Sequence, residues 1–174
     1  RAIKTCLGLA LSKSADLNNS ICTWRATSEC VDHMFARQAI SITWDFAEAV
    51  LKGDSTGSWE SMYNRSADGI ESALIHTESS AVVEQISATK HPLPNDSVAL
   101  FCTDPPYYDA IPYADLSDFF YVWLRRTIAG EHPSLFSEPL TPKDEEAIWN
   151  PSRVYSKTGR PKDQRFYESQ META

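Results

Sequence analysis

Apolar positions along the chain fall into a few separable patterns. Ile3, Cys6, Leu7, Ala10 and Leu11 recur every three or four residues, which predicts a helix over 3–17 that Asn18-Asn19-Ser20 stops. Residues 21–33 are mixed, with a short strand expected around 21–24. Farther on, Ile40, Ile42 and Trp44 alternate as in a strand, and a helix is expected over 46–51 with Asp45 as its cap. The break Gly53-Asp54-Ser55-Thr56-Gly57 follows. Beyond it Trp59, Met62, Tyr63, Ala67, Ile70 and Leu74 return to helical spacing behind Ser58, a natural N-cap, and that stripe is expected to pack in a core.

In the second half, residues 81–86 read as a strand and 91–96 as a turn-rich connection. Residues 98–102 are almost continuously apolar, which suits a strand buried on both faces. The strongest helix carries Leu116, Phe119, Phe120, Trp123, Leu124, Thr127 and Ile128 on one broad face, with Asp115, Asp118, Arg125 and Arg126 largely away from it. Residues 133–162 are polar and proline-bearing, with a short helical hint at 143–149. They are too long for a simple connector and read as a loop-rich insertion, functional or mobile. A last helix begins near Phe166. Strands alternating with helices predict an α/β class with a mostly parallel sheet, in a single domain over 1–174. Too few strands are visible to complete such a sheet. A helical pattern already runs at Ile3 and another is barely begun at 166–171, so the chain is expected to be part of something longer.

Composition narrows the function classes. Hydrophobic residues at 42% and aromatics at 11% exclude a disordered tail. No apolar run reaches membrane-spanning length and no signal-peptide pattern opens the chain, so no membrane partner and a cytoplasmic setting are expected. Cys6, Cys22, Cys30 and Cys102 make no Cys-x-x-Cys pair, and they read as free thiols without a metal site despite the Cys30-x-x-His33 spacing. Asp115 and Asp118 suit a helix N-terminus without a metal. The net charge of -8 is opposite to what phosphate binding asks. It is uneven, however. Arg153, Lys157, Arg160, Lys162 and Arg165 cluster with Asp163 alone among them, so the first four are either a solvated face or contacts to a nucleic-acid backbone.

The residues that bear chemistry are Asp104-Pro105-Pro106-Tyr107, placed at the end of the apolar run. Open α/β sheets bind ligands at that edge. Proline pairs also mark plain turns; the preceding strand and the following Tyr-Tyr and aromatic helix favour a site. Each proline holds the residue before it extended, which stiffens the loop. An adenine N6 amine is a poor nucleophile, because its lone pair is delocalised into the ring. Two acceptors, the Asp104 carboxylate and the Pro105 carbonyl, would draw it toward tetrahedral geometry. Attack on a methyl donor then needs positioning more than a strong base. Tyr107 would stack on a base flipped from the duplex, and Tyr108 or Tyr113 would form another wall of the pocket.

Residues 103–126, TDPPYYDAIPYADLSDFFYVWLRR, closely resemble the large adenine-specific DNA methylases that carry a zinc ribbon. Residues 9–24 (LALSKSADLNNSICTW), 35–48 (FARQAISITWDFAE), 56–59 and 139–143 (PLTPK) are similar to that family too. The resemblance implies a partial Rossmann-like methyltransferase fold, an incomplete sheet with flanking helices. It also implies S-adenosylmethionine as cofactor, adenine-containing DNA as partner, and Asp104, Pro105, Pro106 and Tyr107 as the catalytic motif. The family's glycine-rich cofactor motif and zinc ribbon lie upstream of such a region. The six glycines here include no Gly-x-Gly, so a remaining methyltransferase segment is an implied partner and the isolated chain is expected to be inactive. At Ser87, before Ala88-Thr89, the family often has an acidic residue. An RNA base methyltransferase and a non-catalytic nucleic-acid-binding or assembly module remain the alternatives.

Overall fold

A computed structural model describes residues 1–75, 81–90, 92–109 and 111–174. Its regular elements are helices α1 (Ala2–Ala15), α2 (Trp59–Ile75), α3 (Tyr113–Ile128) and α4 (Gln164–Thr173), together with strands β1 (Trp24–Arg25), β2 (Cys30–Val31), β3 (Asn150–Tyr155) and β4 (Arg160–Lys162). The strands form two antiparallel pairs, β1 with β2 and β3 with β4. The chain divides into two compact units where its sequence predicts one domain: Arg1–Ser79 with Ala114–Thr141, and Ser80–Tyr113 with Pro142–Ala174.

The first unit is helical. In α1 the buried positions are Gly8, Ala10, Ser12 and Ser14, and Ile3 of the expected apolar stripe is 77% exposed. The reason is close packing. A Cβ on Gly8 would lie 2.5 Å from Ile128 Cγ2, so small residues let α1 approach the end of α3. Thr5 Oγ1 and His132 Nε2 lie 2.8 Å apart, and Lys4 pairs with Glu131 at 3.1 Å. That ammonium holds the Glu131 carboxyl below its ordinary value. Helix α2 starts at Ser58, whose Oγ accepts from the Ser61 N–H at 3.2 Å, the cap its sequence predicts. The predicted core stripe is only partly covered: Met62 is fully buried and Ala67 half-buried, while Trp59, Tyr63, Ile70 and Leu74 are exposed.

The core of this unit is Cys22, Val31 and Met34, flanked by Ile21, Phe35, Ala47, Ala49 and Phe119. Burial pushes the Cys22 thiol above its ordinary value. The helix expected over 46–51 is absent. Its backbone is drawn elsewhere: the Ala47 N–H donates to the Cys22 carbonyl at 2.8 Å. In α3 the first turn carries Asp115 and the last Arg125 and Arg126, which suits the helix dipole. Residues 137–141 fold back on α3: the Tyr121 hydroxyl donates to the Glu138 carbonyl at 2.7 Å, and the Thr141 hydroxyl to the Ala114 carbonyl at 2.7 Å.

The second unit differs most from expectation. Residues 81–86 and 98–102, both predicted strands, carry no strand pairing, and Val83 and Leu100 are 91% and 83% exposed. Among the described residues no two strands run parallel. β-prone sequence becomes strand only where another edge completes its ladder. The helical hint at 143–149 is not realised either. Its carbonyls are taken from outside, since Lys162 Nζ donates to Lys143 O at 2.6 Å and to Glu146 O at 2.9 Å. Within the predicted loop-rich insertion lies the β3–β4 hairpin, with Asn150 opposite Lys162, Tyr155 opposite Arg160, and Gly159 at φ +66° in its turn. Helix α4 is capped by Asp163, which accepts from the Phe166 N–H at 3.0 Å. No described helix is long and apolar enough to cross a membrane.

Candidate functional site

The Asp104-Pro105-Pro106-Tyr107 loop lies in the second unit and closes on itself. The Tyr108 N–H donates to the Pro106 carbonyl at 3.1 Å, so the chain turns tightly about Tyr107. A second donor meets the same oxygen: the Tyr167 hydroxyl of α4, at 2.7 Å. Tyr107 is thereby thrown outward and is 55% exposed. The next tyrosine points the other way. Tyr108 sits edge-on to Tyr167 with centroids 4.8 Å apart and against Trp149 at 5.2 Å. Its carbonyl accepts from the Trp149 N–H at 3.1 Å. Desolvation raises the Tyr108 phenol above its ordinary value, helped by the charges of Glu168 and Asp109.

Around the loop is an open depression of about 570 Å³, lined by Asp104, Pro105, Pro106, Tyr107, Ile111, Tyr113, Glu146 and Ala147. The Tyr107 and Tyr113 rings meet edge to face at 6.4 Å. Asp104 is exposed, and among the described residues it has no hydrogen bond or ion pair. The structure thus brings together Asp104, Pro105, Pro106, Tyr107 and Tyr113. Of the two tyrosines the sequence offers as a further wall, Tyr113 lines the depression, while Tyr108 packs behind the loop against Trp149 and Tyr167.

Sequence reasoning missed three participants: Glu146 on the rim, and Trp149 and Tyr167 behind the loop. Their separation from Asp104 along the chain left no local pattern. The only hint was the improbable length of the polar segment that holds Glu146 and Trp149.

The basic cluster is dispersed. Lys162 is 1% exposed and committed to two carbonyls, with its ammonium 5.2 Å from the Phe166 ring centre, so it is not presented to a phosphate. Burial pulls its pKa below the ordinary lysine value, partly opposed by the Glu146 and Asp144 charges. Lys157 is ion-paired with Glu145. Arg160 and Arg165 are exposed and Arg153 is half-buried. Among the described residues no three His, Cys, Asp or Glu side chains gather as a metal site would need, and the four cysteines are free.

No family model, curated protein or solved structure matches this chain.

The residues around the depression suit an aromatic ring that bears an amino group. Tyr107 and Tyr113 offer two ring faces, and the Asp104 carboxylate and Pro105 carbonyl are acceptors. A cradle for S-adenosylmethionine is a different matter. The glycines are dispersed at 8, 53, 57, 69, 130 and 159, and none lines the depression. The described residues that line the depression therefore suit an amino-bearing ring and include no glycine-rich cradle for that cofactor.

Proposed function

We propose that this protein takes part in methyl transfer to the N6 amino group of adenine in DNA, as the part of a Rossmann-like α/β methyltransferase that holds the base. The observation that carries this reading is the Asp-Pro-Pro-Tyr loop itself, turned about Tyr107 and opening onto a depression shared with Tyr113 and the free Asp104 carboxylate. An exocyclic amine entering there finds the Asp104 carboxylate and the Pro105 carbonyl as acceptors. Asp104 takes one N–H and the Pro105 carbonyl the other, which raises the electron density available on nitrogen. Tyr107 stacks on the ring of a base drawn out of the duplex, and Tyr113 closes the side. S-adenosylmethionine, when bound, would supply the electrophilic methyl group, its sulfur–carbon bond breaking as the nitrogen–carbon bond forms and the amine's proton passing to solvent. The sulfur-bound donor needs no activation by this loop, so the work of these residues is orientation.

The test is transfer of labelled methyl from S-adenosylmethionine to adenine-containing duplex DNA by the intact protein, with the Asp104→Ala variant and RNA in parallel. Label in DNA that falls by at least about a hundredfold in the variant is the expected result. Label confined to RNA would move the reading to an RNA base methyltransferase. No transfer to either, with no binding of the cofactor, would leave a non-catalytic binding module.

A further inference from the structure

We infer that Tyr167 is a positioning residue of this site: its hydroxyl decides which carbonyl of the Asp-Pro-Pro-Tyr loop is left to meet the substrate amine. The inference rests on the methyl-transfer reading of the same loop and extends the site to α4. Three acceptors compete for the amine, the Asp104 carboxylate and the carbonyls of Pro105 and Pro106. Neither proline has an N–H, so neither residue can donate to a carbonyl of the loop. The Pro106 oxygen is occupied twice, by the Tyr108 N–H at 3.1 Å and by the Tyr167 hydroxyl at 2.7 Å. A carbonyl has two lone pairs, and both are then used. Among the described residues the Pro105 carbonyl accepts no hydrogen bond. Tyr167 therefore removes the wrong acceptor and leaves Pro105 as the partner of Asp104.

The same contact sets the turn. Tyr107 is presented outward only while Pro106 and Tyr108 stay closed on each other. The second hydrogen bond on Pro106, with the Tyr108 ring held edge-on to Tyr167 at 4.8 Å and beside Trp149, keeps them so. Tyr167 in turn is placed by the first turn of α4, where Asp163 accepts from the Phe166 N–H and the Tyr167 N–H donates to the Asp163 carbonyl at 3.2 Å. A group sixty-one positions along the chain thus acts on the loop through one phenol oxygen.

The variant that isolates this oxygen is Tyr167→Phe, which keeps the ring packed on Tyr108. Two readouts are taken on the intact protein. The first is hydrogen exchange at the Tyr108 amide, which does not need activity. Exchange is expected to rise severalfold in Tyr167→Phe with the melting temperature little changed; unchanged exchange overturns the clamp. The second is steady-state methyl transfer to duplex DNA. A fall in kcat of about tenfold, with KM for the cofactor within about twofold, is the expected result. Equal kcat in an active wild type overturns the positioning role, as does a loss that appears wholly in KM. If the wild type transfers no methyl group at all, the functional reading fails, while the exchange experiment still decides whether Tyr167 holds the turn.

Discussion

The two units of this protein are held in different ways. In the first, three helices supply their own backbone hydrogen bonds, and packing is a matter of small residues allowing approach, as Gly8 does beside Ile128. In the second, extended chain dominates, and backbone groups are satisfied one at a time by distant side chains: Lys162 on Lys143 and Glu146, Tyr167 on Pro106, Asp144 on Ser156. A helix can be assembled from neighbours in sequence, but an extended segment depends on whatever partner reaches it. The candidate site belongs to the second kind of structure. Its stiffness comes from two prolines and from a few specific hydrogen bonds and ring contacts, not from a broad core.

The comparison can be pressed by substitution. Met62→Ala in the first unit empties a fully buried position and is expected to cost about 2–5 kcal/mol, with exchange rising across α1 and α2. Similar exchange in variant and wild type would mean that this unit relaxes around the gap. In the second unit, Lys162→Ala removes the donor to two carbonyls and is expected to cost about 1–3 kcal/mol, measured by denaturant unfolding followed at Trp149. If Lys162→Met is as stable as the wild type, hydrophobic contact with Phe166 and not the hydrogen bonds holds residues 143–146. The two helix caps should behave alike, because capping is local: Ser58→Ala and Asp163→Ala are each expected to cost about 1 kcal/mol. Asp163→Ala should also loosen the Tyr167 contact with the loop, an effect for which Ser58→Ala has no counterpart.

The smallest effect is with pH. Hydrogen bonds from the Ser156 hydroxyl and N–H hold Asp144 below the ordinary aspartate value of 3.8, so the folded state binds its proton less readily than the unfolded chain. Its contribution is complete above that ordinary value and is lost as pH falls through the lower folded value. Unfolding titrations of wild type and Asp144→Asn should diverge above this window and converge below it. A constant difference at all pH values would show that Ser156 does not depend on the charge.

Helices were legible because their evidence is local. The stripe from Leu116 to Ile128 predicts α3, and the Ser58 start predicts α2. Burial was less legible than helicity: Ile3 and Leu74 keep helical spacing and are exposed, while Ser12 and Ser14 are buried. Residues 81–86 and 98–102 have strand composition and form no strand, because composition states only a preference for a pleated neighbour. In the site, Asp104, Pro105, Pro106, Tyr107 and Tyr113 stand close together in the chain and were read together. The sequence offers Tyr108 or Tyr113 as a further wall, and two adjacent tyrosines look equivalent until a turn sends Tyr107 and Tyr108 in opposite directions.

The sequence by itself determined the periodic helices and the stiff Asp-Pro-Pro-Tyr loop, since spacing, capping residues and proline geometry act over a few bonds. Only the tertiary structure decided which tyrosine faces outward, that Lys162 is buried, and that Tyr167 closes on Pro106. Those outcomes depend on groups tens of residues apart meeting within a hydrogen bond's length, and no local preference encodes such a meeting.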